Sequence, residues 1–206
     1  MKLLITLILI ASGCWGQNKK ELFFDEDSTA ITKTEFIRRT DHTTNIGGVK
    51  ENDNAIINKL FRREKIAVLS PEKYANLKKY VGLTTSDNAE PDNKIIVINY
   101  YSGLDSILPG EGKSTWNIYD RSYPKKLKKM GNIAQFWVYK YDTNLKHHHA
   151  DEINWLYDKS ALIEKTFFPY HFNSGSFAVI LPTGKYYTYF GEYGTDEVYN
   201  ALEEMK

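Results

Sequence analysis

The chain has 206 residues, 42% of them hydrophobic and 26% charged, which fits a globular protein with a real core and excludes a disordered one. Its 27 basic and 26 acidic residues give no electrostatic reason to bind nucleic acid. A single cysteine, Cys14, excludes an internal disulfide and dithiol chemistry.

The first segment, "MKLLITLILIASGCWGQ", reads as an export signal. Lys2 precedes a short apolar run from Leu3 to Ala11, then small residues and Cys14. That run is shorter than the roughly 20 apolar residues a bilayer span needs. "ASGC" resembles the lipobox of bacterial lipoproteins, which makes Cys14 the expected lipid attachment point and residues 1–13 the leader. Ordinary signal cleavage after "CWG" is the alternative, with residues 1–16 removed. Either route leaves no side-chain thiol free to react. A membrane-anchored lipoprotein is the expected location, in preference to a soluble periplasmic or secreted protein.

Residues 17–54 read as a polar tether or arm, with Leu22, Phe23 and Phe24 able to dock it as a short strand. Residues 55–93 read as a strand-helix extension. "AIINKLFRREKIAVL" suggests two short strands or a bent one. "SPEKYANLKKYVG" is a helix capped by Ser70, with Pro71 in its first turn, Tyr74, Leu77 and Val81 on one face, and Gly82 as its end. The polar, turn-rich "TTSDNAEPDN" then marks a boundary.

Residues 94–206 read as one α/β domain. "KIIVINYY" is a near-continuous apolar run, as expected of a strand covered on both faces. "STWNIYDRSYPKKLKKMG" reads as a helix that Pro124 should break or kink. "IAQFWVYKYD" is a second buried strand. "ADEINWLYDKSALIEKTFF" reads as a second helix with Ile153, Leu156, Ile163 and Phe167 inward. "SFAVILPTGKYYTYFGEYG" is a hairpin turning at Pro182, Thr183 and Gly184, and "TDEVYNALEEMK" a closing helix capped by Thr195. The first two strands, joined through a helix, should be parallel.

This β-α-β-α-β-β-α order resembles the thioredoxin-like fold superfamily over residues 94–206. "KIIVINYYSGLDSI" is similar to the first core strand and its active-site loop. In that register Leu104 and Ile107 stand where the two redox cysteines would be, flanking Asp105 and Ser106, and Ser176 stands where the family's cis-proline precedes the strand. The resemblance therefore implies a member without redox activity. Thiol-disulfide exchange needs a thiolate and a second thiol to resolve the mixed disulfide, and leucine and isoleucine supply neither. It also implies a possible binding surface at Leu104, Asp105, Ser106, Ile107, Ser176 and Phe177.

Other motifs are weaker. "PGEGKST" lies in the context of a phosphate loop, but Ile107 replaces the required first glycine, so no nucleotide is expected. "DEDSTAITKTEF" has Ala30 and Phe36 where an EF-hand needs glycine and glutamate. His147, His148 and His149, with His171 further on, are candidate zinc or copper ligands. Consecutive histidines in a loop diverge, however, so they form no evident closed ligand set. No nucleophile elbow is present to support a hydrolase. The expectation is an exported interaction or scaffold module, with no catalytic residue or cofactor assigned and a protein or peptide partner in the envelope. A metal-binding protein or hydrolase using the histidine-rich loop is the alternative.

Overall fold

A computed structural model describes residues 19–84, 93–103, 122–142, 145, 152–172 and 174–205. The chain is α/β, with two mixed sheets and, among these residues, five helices.

The first sheet takes two strands from the stretch read as a polar arm, where Leu22, Phe23 and Phe24 dock as part of a short strand, and its third from the extension that follows. Strands β1 (Lys20–Phe24), β2 (Asn45–Glu51) and β3 (Ala55–Arg62) lie in the order β1-β3-β2. β1 runs parallel to β3 and β2 antiparallel to it. Helix α1 (Lys33–Arg39) connects β1 to β2, its N-terminus capped by the Thr32 hydroxyl, which accepts the Glu35 N–H at 3.1 Å. What makes so polar a stretch foldable is "IGGV". A Cβ on Gly47 would come within 2.8 Å of the Phe36 ring, and one on Gly48 within 2.8 Å of Phe172. The absent side chains let one ring pack on each face of β2.

The second sheet has six strands in the order β4-β9-β8-β5-β6-β7. They are β4 (Glu64–Val68), β5 (Ile95–Tyr101), β6 (Ile133–Tyr139), β7 (Trp155–Tyr157), β8 (Gly175–Ile180) and β9 (Lys185–Tyr189). β5 and β6 are parallel, as expected of strands joined through a helix, and β7 continues parallel beside β6. β8 and β9 form the expected hairpin, with Gly184 at φ +81 and its N–H donating to the Leu181 carbonyl at 2.9 Å. β5 lies inside the sheet between β8 and β6 and is buried on both faces, which explains an apolar run interrupted only by Asn99.

Alternation along these strands divides the core in two. Ile96, Ile98, Tyr100, Phe136 and Val138 face one side with Leu77 and Val81 of α2 (Pro71–Thr84) and Ile163 and Phe167 of α4 (Leu162–Phe167). Val97, Trp137, Phe177 and Val179 face the other with Leu127 of α3 (Ser122–Met130) and Val198, Leu202 and Met205 of α5 (Thr195–Met205). Helix α2 is the one punctuated by Ser70, whose Oγ accepts the Lys73 N–H at 3.3 Å, although it runs two residues past Gly82.

Two local expectations are corrected, and a third lies partly outside the described residues. Pro124 stands in the first turn of the described helix α3, where proline is tolerated, while residues 114–121 of the expected helix lie outside the described residues. Residues 150–168 are not one helix, because Trp155, Leu156 and Tyr157 pair with Trp137, Val138 and Tyr139. Ile153 consequently packs on the α3–α5 side and Ile163 on the α2–α4 side. The break is fixed by Asp158, whose fully buried carboxylate accepts the N–H groups of Leu162 (2.9 Å), Ile163 (3.3 Å) and Glu164 (2.8 Å). Finally, at the head of α5 it is Glu197 that reaches back, accepting the Gly194 N–H at 2.9 Å.

Candidate functional site

The carboxyl end of β5 is where sequence placed a binding surface. Leu104, Asp105, Ser106 and Ile107 lie outside the described residues, as do Cys14, His147, His148 and His149. Ser176 and Phe177 are described, and they correct the expectation. Ser176 is 3% exposed, with its Oγ accepting the Gly191 N–H at 3.0 Å. Phe177 is fully buried and stacks on Tyr187 and Tyr189 at 5.8 and 5.4 Å. β8 has a strand on each side and helices over both faces, so neither side chain is available to a partner.

Among the described residues, His171 meets a carboxylate and two cationic neighbours. Its Nε2 lies 3.9 Å from Glu164 Oε1, and Lys140 Nζ lies 3.5 Å from Glu164 Oε2. Burial lowers the His171 pKa below its usual value; Glu164 opposes that shift, and Lys50 and Lys140 add to it. The Tyr141 ring is 6.3 Å from the imidazole. Behind them, Tyr100 Oη and Ser102 Oγ are buried without a hydrogen-bond partner among the described residues. Burial, then the charges of Glu164 and Asp158, push the Tyr100 phenol upward, so it stays protonated and can only act as a neutral hydroxyl. Among the described residues no three histidine, cysteine or acidic side chains converge to hold a metal.

Comparison with protein-family models, with curated proteins and with solved structures finds no match to this chain. What the protein does must therefore be argued from its own geometry.

A cavity of about 680 Å³ opens elsewhere, beneath α1. Phe23 of β1 with Phe36 and Ile37 of α1 gives it an apolar wall. The polar wall holds Arg63, the one residue between β3 and β4, with Ser174 and Glu192 from the far end of the chain. The Arg63 guanidinium donates to the His42 and Glu192 carbonyls and lies 4.8 Å from the Tyr189 ring centroid. Among the described residues no carboxylate comes within ion-pair distance of it. At the rim, Lys33 and Glu21 neutralise each other at 2.9 Å. A volume of this size with one apolar and one polar wall is typical of small-molecule sites.

Sequence reading missed both the Lys140–Glu164 pair and this cavity. The pair joins the end of β6 to α4, and no spacing announces it. Most of the cavity is built from residues that composition alone assigns to an arm.

Proposed function

We propose that this chain is an exported, redox-inactive, thioredoxin-like module that binds a protein or peptide partner in a bacterial envelope, anchored through a lipid on Cys14. The observation that carries the reading is the strand order β9-β8-β5-β6, with β5 and β6 parallel across α3 and the β8–β9 hairpin antiparallel beside them. This arrangement supports the resemblance drawn from residues 94–206. With Cys14 in the leader or under lipid, the chain has no thiol for redox chemistry, so binding is the use left to such a domain.

The partner surface is the rim around Tyr141, which is 42% exposed and joined to the end of β5 by its N–H donating to the Ser102 carbonyl at 3.3 Å. A photo-reactive residue at position 141, crosslinked in intact cells, should capture one envelope protein reproducibly. Failure to crosslink any protein above background overturns the module reading. Intact mass from the membrane fraction should match a chain starting at lipidated Cys14; a mass starting at Gln17 in the soluble fraction overturns the anchor.

A metal-binding or hydrolytic role has one observation in its favour, the approach of His171 to Glu164. Stoichiometric zinc or copper surviving dialysis, and lost in His171→Ala, would support the metal version.

A further inference from the structure

We propose that the cavity beneath α1 is a binding site for a small amphipathic carboxylate, its head group on Arg63 and its apolar body against Phe23, Phe36 and Ile37. The inference depends neither on export nor on the thioredoxin-like reading.

Charge selects the head group. The cavity carries two cations, Lys33 and Arg63, and two acids, Glu21 and Glu192. Lys33 and Glu21 form an ion pair and cancel. Glu192 engages Arg63 through its backbone carbonyl, and its carboxylate lies beyond ion-pair distance. Arg63 is thus a guanidinium held in place without a counter-ion among the described residues. Its two terminal nitrogens each donate to a backbone carbonyl, and its plane lies against Tyr189. One N–H on each terminal nitrogen remains unassigned, which matches the two oxygens of a planar carboxylate. Partial burial makes that pairing worth more than at an open surface.

The opposite wall selects the body. Phe36 is 8% exposed and lies over Gly47, and Phe23 packs against it with centroids 5.4 Å apart. Ile37 is 62% exposed on a helix that otherwise buries only Phe36. An apolar chain lying along these rings would cover Ile37 and take the remaining wall out of water, at about 25 cal/mol per Å². A body of roughly eight to twelve carbons fits the usual size range of such a cavity.

The test is calorimetric titration of the full chain with decanoate, with 1-decanol as the uncharged control. Decanoate should bind saturably with one site and at least about tenfold tighter than decanol. Methyl NMR should show Ile37 shifting on binding. Because Arg63 ties β3 to two carbonyls, Arg63→Gln is paired with the exposed substitution Ile37→Asp, which leaves the fold intact. Each should weaken decanoate binding about tenfold or more, and Arg63→Gln should abolish the preference over decanol. No saturable binding, equal affinity for decanol, or binding that leaves Ile37 unshifted would each overturn the proposal.

Discussion

His171 and Val49 exchange both of their backbone hydrogen bonds, each at 2.8 Å, across an isolated bridge outside the two sheets' own ladders. The bridge fixes β2 to the segment between α4 and β8, and it also holds the His171 imidazole beside Glu164. One residue therefore joins a structural seam to a titratable cluster.

That juxtaposition predicts a pH dependence. The folded-state pKa of His171 is below its unfolded value, chiefly through burial. The unfolded chain then binds the proton more readily, so stability is complete above about pH 6.5 and falls as pH drops below it, levelling off beneath the folded pKa. Urea midpoints measured from pH 8 to pH 5 should fall, and His171→Asn should flatten the fall. Equal slopes in the two proteins would show that another group is responsible.

Asp158 should be the most costly single acid to remove. Its carboxylate accepts three α4 N–H groups and the Tyr80 hydroxyl at 3.0 Å, with none of the residue exposed. Asp158→Ala strips a helix cap and leaves buried donors unpaired, at a cost of about 3 kcal/mol in urea unfolding. Asp158→Asn keeps an acceptor and should cost roughly half as much. The same carboxylate pushes the Tyr80 phenol up, after burial itself, to about 12, so phenolate absorbance from Tyr80 should move to lower pH in either variant.

Tyr123 and Tyr193 both donate to Asn99 Oδ1, at 3.0 and 2.9 Å, in the α3–α5 half of the core. Removing either hydroxyl leaves that oxygen one donor, so Tyr123→Phe or Tyr193→Phe should each cost about 1 kcal/mol. Removing both orphans a buried acceptor. A double-mutant cycle should therefore show the pair costing more than the sum, by about 1 kcal/mol. Strict additivity would refute the shared-acceptor account.

Gly48 tests the packing between the sheets. A Cβ there would sit 2.8 Å from Phe172 and 3.0 Å from Phe61. Gly48→Ala should destabilise by about 2 kcal/mol. Adding Phe172→Leu should recover part of the loss, since it gives the new methyl room; no recovery would place the strain elsewhere.

The legible parts of this fold were those whose signal is local. β5 reads as doubly covered because seven residues without a charge announce it, and the β8–β9 hairpin reads from Pro182-Thr183-Gly184. The α2 stripe reads from Leu77 and Val81. The misread parts depend on distant partners. Trp155-Leu156-Tyr157 has helical spacing with its neighbours, yet β6 offers an open edge, and Asp158 waits to cap the turn that follows. β2 looks like loop because Gly47 and Gly48 show no hydrophobic alternation, their partners being rings at positions 36, 61 and 172. The proposed cavity was invisible for the same reason: Arg63 gains its meaning only beside residues 42, 189 and 192.

The order in which these strands leave the ribosome has a consequence of its own. The small sheet's own ladder can form once Arg62 is made, since its three strands are β1, β2 and β3. One of its faces cannot be covered then, because Phe61 packs on Tyr170, Phe172 and Phe190. β4 waits longer still, as its partner β9 begins at Lys185. Throughout elongation the chain therefore carries a finished three-stranded sheet with Ile46 and Phe61 bare on one side. Such a face is a target for chaperones, and for other nascent chains, until the last strands arrive to close it.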